Sequence, residues 1–458
     1  MRQNSGFTRR ELLRGVAAGT AALSFSRLFA LDKLLTNHTR FVEPKRVRYR
    51  GTDDNLLDEI ERGAFDFFWT EAGSSGQVKD RAFVNGRDTH TLASIAATGF
   101  GLTGLCIGHA RRYRNPDEIQ ERVRQSLRFI WEKLPHEHGF FYHFVDITTG
   151  QRQWMSEVSS IDTSILMCGV LTARQHFLDA EIQELATKIY ERVDWDWMLN
   201  DGHTLSMGWY PESGFIGMRW AHYCELMMIY LLALGSPTHP ISSRSWAAWK
   251  RPTINYQGYE YISGNDPIFT HQYSHAWFDF RNQRDAHLNY FQNSITATMA
   301  HREFCLSLHP KFPDYSSRLW GITASDSFRG YRIWGGPPSF GEPDGTIVPC
   351  APAGSLVFLY PECIEVLRNI RERYGRAWGN YGYVDAFNPL TGWYDNAVLG
   401  IDLGITMLMA ENHRTRFVWR TFMKNKEARR GMARAGFHTE EWWEEHPQPR
   451  NAVAHVEP

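Results

Sequence analysis

The sequence predicts an all-α fold, an (α/α)6 toroid of six inner and six outer helices with short hairpins in its loops. Three observations predict it. Segments 91–107, 159–171, 219–234, 288–306, 351–359 and 401–410 are apolar or small nearly all round. A helix of that kind must be buried on every side. Segments 117–134, 180–198 and 361–374 instead alternate charges with apolar stripes, as helices with one wet face do. Finally, the six apolar segments start about 50 to 70 residues apart, which leaves room each time for a loop, an outer helix and a return.

The elements follow in order. Leu56, Leu57, Ile60, Ala64, Phe65 and Phe68 recur at helical spacing, with Asp58, Glu59 and Glu61 on the opposite face. The buried and amphipathic segments then alternate to residue 410. Strand-like pieces at 138–145 and 259–262 are short enough to be hairpins in loops. Too few strands are present for a barrel of eight. No domain boundary interrupts 54–436, and 437–458, with Pro447 and Pro449, reads as an exposed tail.

The N-terminal 1–30 reads as a targeting segment. Thr8-Arg9-Arg10-Glu11-Leu12-Leu13-Arg14 resembles a twin-arginine signal and precedes an Ala- and Gly-rich apolar run too short to span a bilayer. Residues 31–53 form a polar, basic linker. Export by the twin-arginine machinery to the periplasm or beyond is the expectation. After residue 30 no apolar stretch approaches the ~20 residues of a membrane span.

Composition narrows the partners. Lys plus Arg (50) nearly balances Asp plus Glu (51), so no general field draws the chain to nucleic acid or anionic lipid. Neutral ligands fit better, and sugars are neutral. Aromatic residues make up 14% of the chain, including 17 Trp, whose flat faces suit stacking on pyranose rings or filling a large core. Cys106, Cys168, Cys224, Cys305, Cys350 and Cys363 show neither CxxC spacing nor a metal-ligand set, and read as small core residues without disulfides.

Polar residues at the leading ends of inner helices would face a central cavity. Asp162 and Asp402 each open a buried segment, where a carboxylate either caps the helix or acts on a substrate. Glu157 shares the first of these positions. Glu225 sits in a run that reads as continuous apolar helix, Arg219-Trp220-Ala221-His222-Tyr223-Cys224-Glu225-Leu226. Burial raises a glutamic acid's pKa toward what a general acid needs. A structural pair with Arg219 or His222 is the alternative. Glu212 on the preceding loop, and Asp395 beside Trp393 and Tyr394, would line the same cavity, as would Trp154, Trp209 and Trp220. On a helix, His271, His275 and Asp279 would share a face. The run lacks the Glu that follows the first His of a zincin, so His271, Gln272 and His275 are assigned to sugar hydrogen bonding and no metal is expected. No phosphate loop, Rossmann fingerprint or GxSxG elbow is present, so no cofactor is expected.

Together these motifs resemble the bacterial glucoamylase-like domain family, which includes the endo-β-1,2-glucanases of glycoside hydrolase family 144. The resemblance spans about 54–436. It rests on Ser160-Ile161-Asp162-Thr163, Pro211-Glu212-Ser213-Gly214-Phe215, the run from Tyr230 to Pro240, His271-Gln272-Tyr273-Ser274-His275, Asp344-Gly345-Thr346-Ile347, Val384-Asp385-Ala386-Phe387-Asn388-Pro389, and Gly400-Ile401-Asp402 with Glu411-Asn412. It implies an (α/α)6 barrel with an acidic cleft, and catalytic carboxylates at Glu225 and Asp402 with Asp162 close by. His222 and Leu226 stand where the family usually has Gly and Ala, and Leu403 and Ile405 where it has Gln and Pro. These departures bear on linkage specificity. The expected activity is inverting hydrolysis of a β-glucan, with a retaining transglycosylase or a sugar-binding protein on the same scaffold as alternatives.

Overall fold

The computed structural model describes residues 48–85, 89–337 and 341–445. The signal segment at 1–30, residues 31–47 of the 31–53 linker and the end of the 437–458 tail lie outside the described residues.

Helix α1 (Asp53–Thr70) starts at a reciprocal cap: Thr52 Oγ1 accepts the Asn55 N–H, while the Asn55 side chain accepts the Thr52 N–H. Its apolar stripe is buried as the spacing predicts. The chain continues through α2 (Ile95–Arg111), α3 (Pro116–Glu132), α4 (Ser160–His176), α5 (Ala180–Glu191), α6 (Met227–Gly235), α7 (Arg244–Ala248), α8 (Tyr273–Trp277), α9 (Tyr290–Ser307), α10 (Cys350–Ala353), α11 (Tyr360–Arg373), α12 (Gly400–Thr415), α13 (Phe417–Phe422), α14 (Lys426–Arg434) and α15 (Glu440–Glu445). Among the described residues, strands form only sheets of two or three. The molecule is therefore mainly helical, with short hairpins between helices.

Helices α2, α4 and α12 lie side by side and run in the same direction. A Cβ on Gly99 of α2 would overlap the Ile165 carbonyl of α4, and one on Gly404 of α12 would overlap the Phe100 ring of α2. Glycine at these places is what lets the backbones touch. The three helices begin at a common end. The Ile95 N–H bonds the His143 carbonyl (3.3 Å), the Gly400 N–H bonds the Asp80 carbonyl (2.8 Å), and the Ser94 and Ser159 hydroxyls cap α2 and α4. Trp195, Trp249, Trp277 and Trp320 are fully buried, so part of the Trp content serves the core. All six cysteines are buried and unpaired with one another.

The structure departs from the predicted helices at five places. Segment 288–306, expected to be buried on every side, forms α9 with one face buried and the other half-buried or exposed. Residues 91–94 are largely strand: Leu92–Ser94 pairs with Phe144–Asp146, and α2 starts after it. Segment 180–198 is helical only to Glu191, followed by a 3-10 turn at Trp197–Leu199. Segment 219–226 is not helical. Its backbone bonds run sideways, from the Trp220 N–H to the Leu205 carbonyl (2.8 Å) and from the Tyr223 N–H to the Lys250 carbonyl (2.8 Å), and the helix starts only at Met227. Segment 351–359 is a single turn, Cys350–Ala353, and then non-helical turns. Pro352 brings no N–H to a helix there, and the Gln272 side chain instead ties the Ala351 carbonyl (2.8 Å) and the Ser355 hydroxyl (2.8 Å).

Candidate active site

Acidic residues gather where α12 begins. Strand Ala397–Leu399 leads into the helix, and its neighbour across one antiparallel ladder is Arg81–Phe83. On its other side the Asp385 N–H bonds the Ala397 carbonyl (3.1 Å), and the Asp395 N–H bonds the Ala386 carbonyl (2.9 Å). These ladders bring Asp385, Asp395 and Arg81 to the first turn of α12, which carries Asp402. Asp326 arrives from a separate loop and is fixed by two bonds. Its N–H donates to Asp385 Oδ2 (2.7 Å), and its carboxylate accepts from Arg81 (2.7 Å). The carboxylates of Asp326, Asp385 and Asp395 lie within 4.8 Å of one another, and the Asp385 carboxyl hydrogen-bonds that of Asp402.

The electrostatics follow from this crowding. Asp385, Asp395 and Asp402 are only 4%, 9% and 7% exposed. Burial, and next the charge of Asp402, push the Asp385 carboxyl well above the usual carboxylate range. Burial, and next the charge of Asp326, push Asp395 up to about 7. Arg81 is a counter-charge to Asp326, Asp385 and Asp395, and it also serves Asp80 (3.1 Å).

A second group forms at the start of α4. His143 Nδ1 lies 3.3 Å from Glu157 and 3.7 Å from Asp162, and all three residues are buried. The Asp162 N–H donates to the Ser159 hydroxyl (3.1 Å), which returns its own proton to the Asp162 carboxylate. Asp162 is therefore not the cap itself. It sits at the third helical position, and Ser159 is the cap.

Glu225 is buried in the turn ahead of α6, not in mid-helix as its apolar surroundings suggest. Its carboxylate meets the Cys224 thiol, and its carbonyl accepts from the Ser274 hydroxyl (2.9 Å) at the start of α8. Neither Arg219 nor His222 pairs with it. Arg219 bonds the Leu199 and Thr204 carbonyls, and His222 faces Asp266 (3.9 Å).

The residues expected to bind sugar divide sharply. Trp393 is half-buried on the hairpin joining Phe387–Asn388 to Trp393–Tyr394, beside Asp395. Trp209 is half-buried and tilted against Trp197. Trp154 is 59% exposed. Glu212 is an exposed surface carboxylate in a bidentate pair with Arg152 (2.6 and 3.1 Å), whose hydrogen bond holds it below the ordinary glutamate range. Trp220 is buried, its indole N–H bonded to the Ser160 hydroxyl (2.8 Å), and so serves the packing of α4. His271, Gln272 and His275 are likewise enclosed instead of lining a cavity. His271 meets the Tyr223 hydroxyl (3.0 Å), His275 meets the Ser294 hydroxyl (3.1 Å), and burial pushes both imidazoles down to about 3. Nor do His271, His275 and Asp279 share a helix face. The 3-10 turn Ile268–His271 gives way to α8 at Gln272, and Asp279 lies beyond α8 in a pair with Arg281 (2.6 Å).

Asp326 and Asp385 are the members of the acidic group that pattern reading did not single out. Asp385 did stand inside a stretch carrying the family resemblance. Asp326 has no local signal, since only the closure of the fold brings it to Asp385.

The family described as "Putative glucoamylase" matches residues 217–426. The exo-β-1,2-glucooligosaccharide sophorohydrolase of Parabacteroides distasonis is 26% identical over a 450-residue alignment, which takes in 89% of this chain. The chain spans only 61% of the length of that relative. An endo-β-1,2-glucanase from Chitinophaga pinensis, solved with sophorotriose and glucose, superposes with a TM-score of 0.78 at 25% identity, covering 85% of this chain and 99% of its own. A β-1,2-glucanase from Parabacteroides distasonis superposes at 0.79 with 25% identity, covering 85% of this chain and 60% of its own. Residues 217–426 therefore carry the likeness to the glucoamylase-like family.

Proposed function

We propose that this protein is an exported glycoside hydrolase that cleaves a β-glucan, β-1,2-linked glucan above all, by an inverting acid/base mechanism in an (α/α)6 toroid. The observation that carries the reading is the placing of carboxyls at the leading ends of buried helices. Asp402 and Asp162 occupy first turns of α12 and α4, and Glu225 directly precedes α6. A structural core has no use for so many buried acids, because each costs free energy unless it is partnered. An enzyme that protonates a glycosidic oxygen and activates water needs both a carboxylic acid and a carboxylate. The toroid is supported by the way α2 touches α4, α4 touches α6, α6 touches α8, α8 and α10 both touch α12, and α12 returns to α2, with α1, α3, α5, α9 and α11 among the helices outside them.

In this reading Glu225 gives its proton to the leaving oxygen. Asp402, in the favourable field of the α12 N-terminus, accepts a proton from the attacking water. Asp162, oriented by the Ser159 hydroxyl and His143, assists by holding substrate or water. Inversion places the acid and the base about 6.5–9.5 Å apart, with the water between them. Trp393, Trp209 and Trp154 offer ring faces to glucose units.

The test is a reducing-end assay on a panel of β-glucans of different linkage, with the anomeric form of the first product followed by NMR. New ends of inverted configuration from β-1,2-glucan support the proposal. Retained configuration with redistributed chain lengths would assign a transglycosylase, and binding without new ends a lectin-like protein.

A further inference from the structure

The pair formed by Asp385 and Asp402 has a direction. We propose that Asp385 is a positioning residue that keeps its own proton and donates it in a hydrogen bond to Asp402, leaving Asp402 the anionic partner. The inference deepens the hydrolase reading and rests on it for the role of Asp402.

Two carboxyls in contact share one proton, since both cannot ionise side by side. Their settings differ. Asp402 lies in the first turn of α12, where unpaired N–H groups and the helix dipole favour an anion. Asp385 lies on no helix. It is the more enclosed of the two, and it faces Asp326 and Asp395 as well as Asp402. The Asp326 N–H reaches Oδ2 of Asp385, while Oδ1 is enclosed with no donor directed at it. An ionised oxygen there would be unsatisfied, whereas a protonated one is a donor in need of an acceptor.

Arg81 is engaged by Asp326 and Asp80. Behind the pair, a small cavity is walled by Ile60, Pro349, Val398 and Leu403. Its two tyrosines direct their hydroxyls elsewhere, Tyr383 to the Leu367 carbonyl (2.7 Å) and Tyr381 to Glu71 (2.6 Å). The upward push on Asp385 from burial and from Asp402 agrees in direction.

The experiment compares wild type with Asp385→Asn and Asp385→Ala. Asparagine is uncharged, its oxygen accepts the Asp326 N–H, and its amide donates to Asp402. Asp385→Asn should therefore retain activity within a few-fold, with the acid limb of kcat/KM unmoved. Asp385→Ala should lose about tenfold to a hundredfold, the worth of a hydrogen bond to a charged group. Its acid limb should move to higher pH, because Asp402 loses the donor that favours its anion. In infrared spectra without substrate, taken just above the Asp395 transition at about 7, the difference between wild type and Asp385→Asn should contain a neutral-carboxyl band, the band of Glu61, which is pushed up to about 8, being common to both and cancelling. The inference is overturned if that band is missing, or if Asp385→Asn moves the acid limb to lower pH, as removal of a negative neighbour would. A chelator that abolishes activity, restored by a divalent cation, would also overturn it, since a cation and not a proton would then hold the group together. If wild type cleaves no glucan, the hydrolase reading fails, and the infrared band alone still decides the state of Asp385.

Discussion

Replacing Asp395 with Asn should make the protein more stable at neutral pH and leave it little changed in acid. The native state holds the Asp395 proton more tightly than the unfolded chain does, because its pKa rises from 3.8 to about 7. For a carboxyl displaced in that direction, the contribution to stability is fully present below the unfolded value. It is lost as pH rises through the folded value. The displacement is about 3 units, and at about 1.36 kcal/mol per unit the full swing is about 4 kcal/mol. About 390 residues are described, which gives an unfolding entropy near 0.8 kcal/mol per kelvin and a shift in Tm of about 5 °C. Asparagine keeps an oxygen for the Ala397 N–H, now bonded at 3.1 Å, so the fold at this point is not otherwise disturbed. Glu61, pushed up to about 8 by burial and then by the charge of Glu411, adds its own decline in both proteins and cancels in the difference. The assay is calorimetric Tm of the two proteins at half-unit intervals from about pH 4 to 8. Curves that diverge through this range, with the variant higher at the alkaline end, are expected. Parallel curves, or a variant less stable at every pH, would refute the assignment of the titration to Asp395.

Glu225→Gln removes a transferable proton while keeping shape, and should cost about 10²–10⁴-fold in rate on glucan with an unchanged Tm; a folded variant of normal rate would exclude Glu225 as the acid. Trp154→Ala should raise KM without loss of stability, since that ring is exposed, whereas Trp220→Ala should destabilise by about 3–5 kcal/mol because its indole fills the space beside Ser160. Denaturant titration and kinetics on the same two variants separate a stacking ring from a packing ring. Gly99→Ala should cost about 1–3 kcal/mol or more by forcing α2 away from the Ile165 carbonyl, measured as a lower denaturant midpoint.

Helices whose burial is set by composition were legible in the sequence. α2, α4 and α12 lie where small and apolar residues run together, each within a few residues of its predicted start, whereas α9 starts where expected but buries only one face. Segment 219–226 was not legible. Trp220, Tyr223 and Cys224 give it the composition of a buried helix, yet its N–H groups are satisfied by Leu205 and Lys250, partners far off in sequence. Periodicity reports which side chains are enclosed, not where the backbone bonds go. The histidine run misled for a related reason. His271 and His275 are enclosed by residues from distant elements, Tyr223 and Ser294, and spacing along one helix cannot register that. The acidic group was half visible. Asp395 and Asp402 stand next to aromatic and glycine-rich loop residues that mark a cavity. Asp385 and Asp326 are single acids in otherwise ordinary loops, and they matter only once two ladders and a loop have met.

That meeting explains how one end of the fold can hold several acids without a matching set of bases. Helix N-termini stabilise negative charge, and α2, α4 and α12 present theirs together. Asp162 and Asp402 sit in the first turns of α4 and α12, inside those fields. Asp385 and Asp395 lie in loop segments outside such a field, and burial, then the charge of their neighbours, pushes them toward the neutral form. Around the start of α12, Asp402 thus sits on a helix N-terminus while Asp385 and Asp395 sit in enclosed loops, so one site offers both a setting that favours a carboxylate and a setting that favours a carboxylic acid. Hydrolysis of a glycosidic bond calls for both forms.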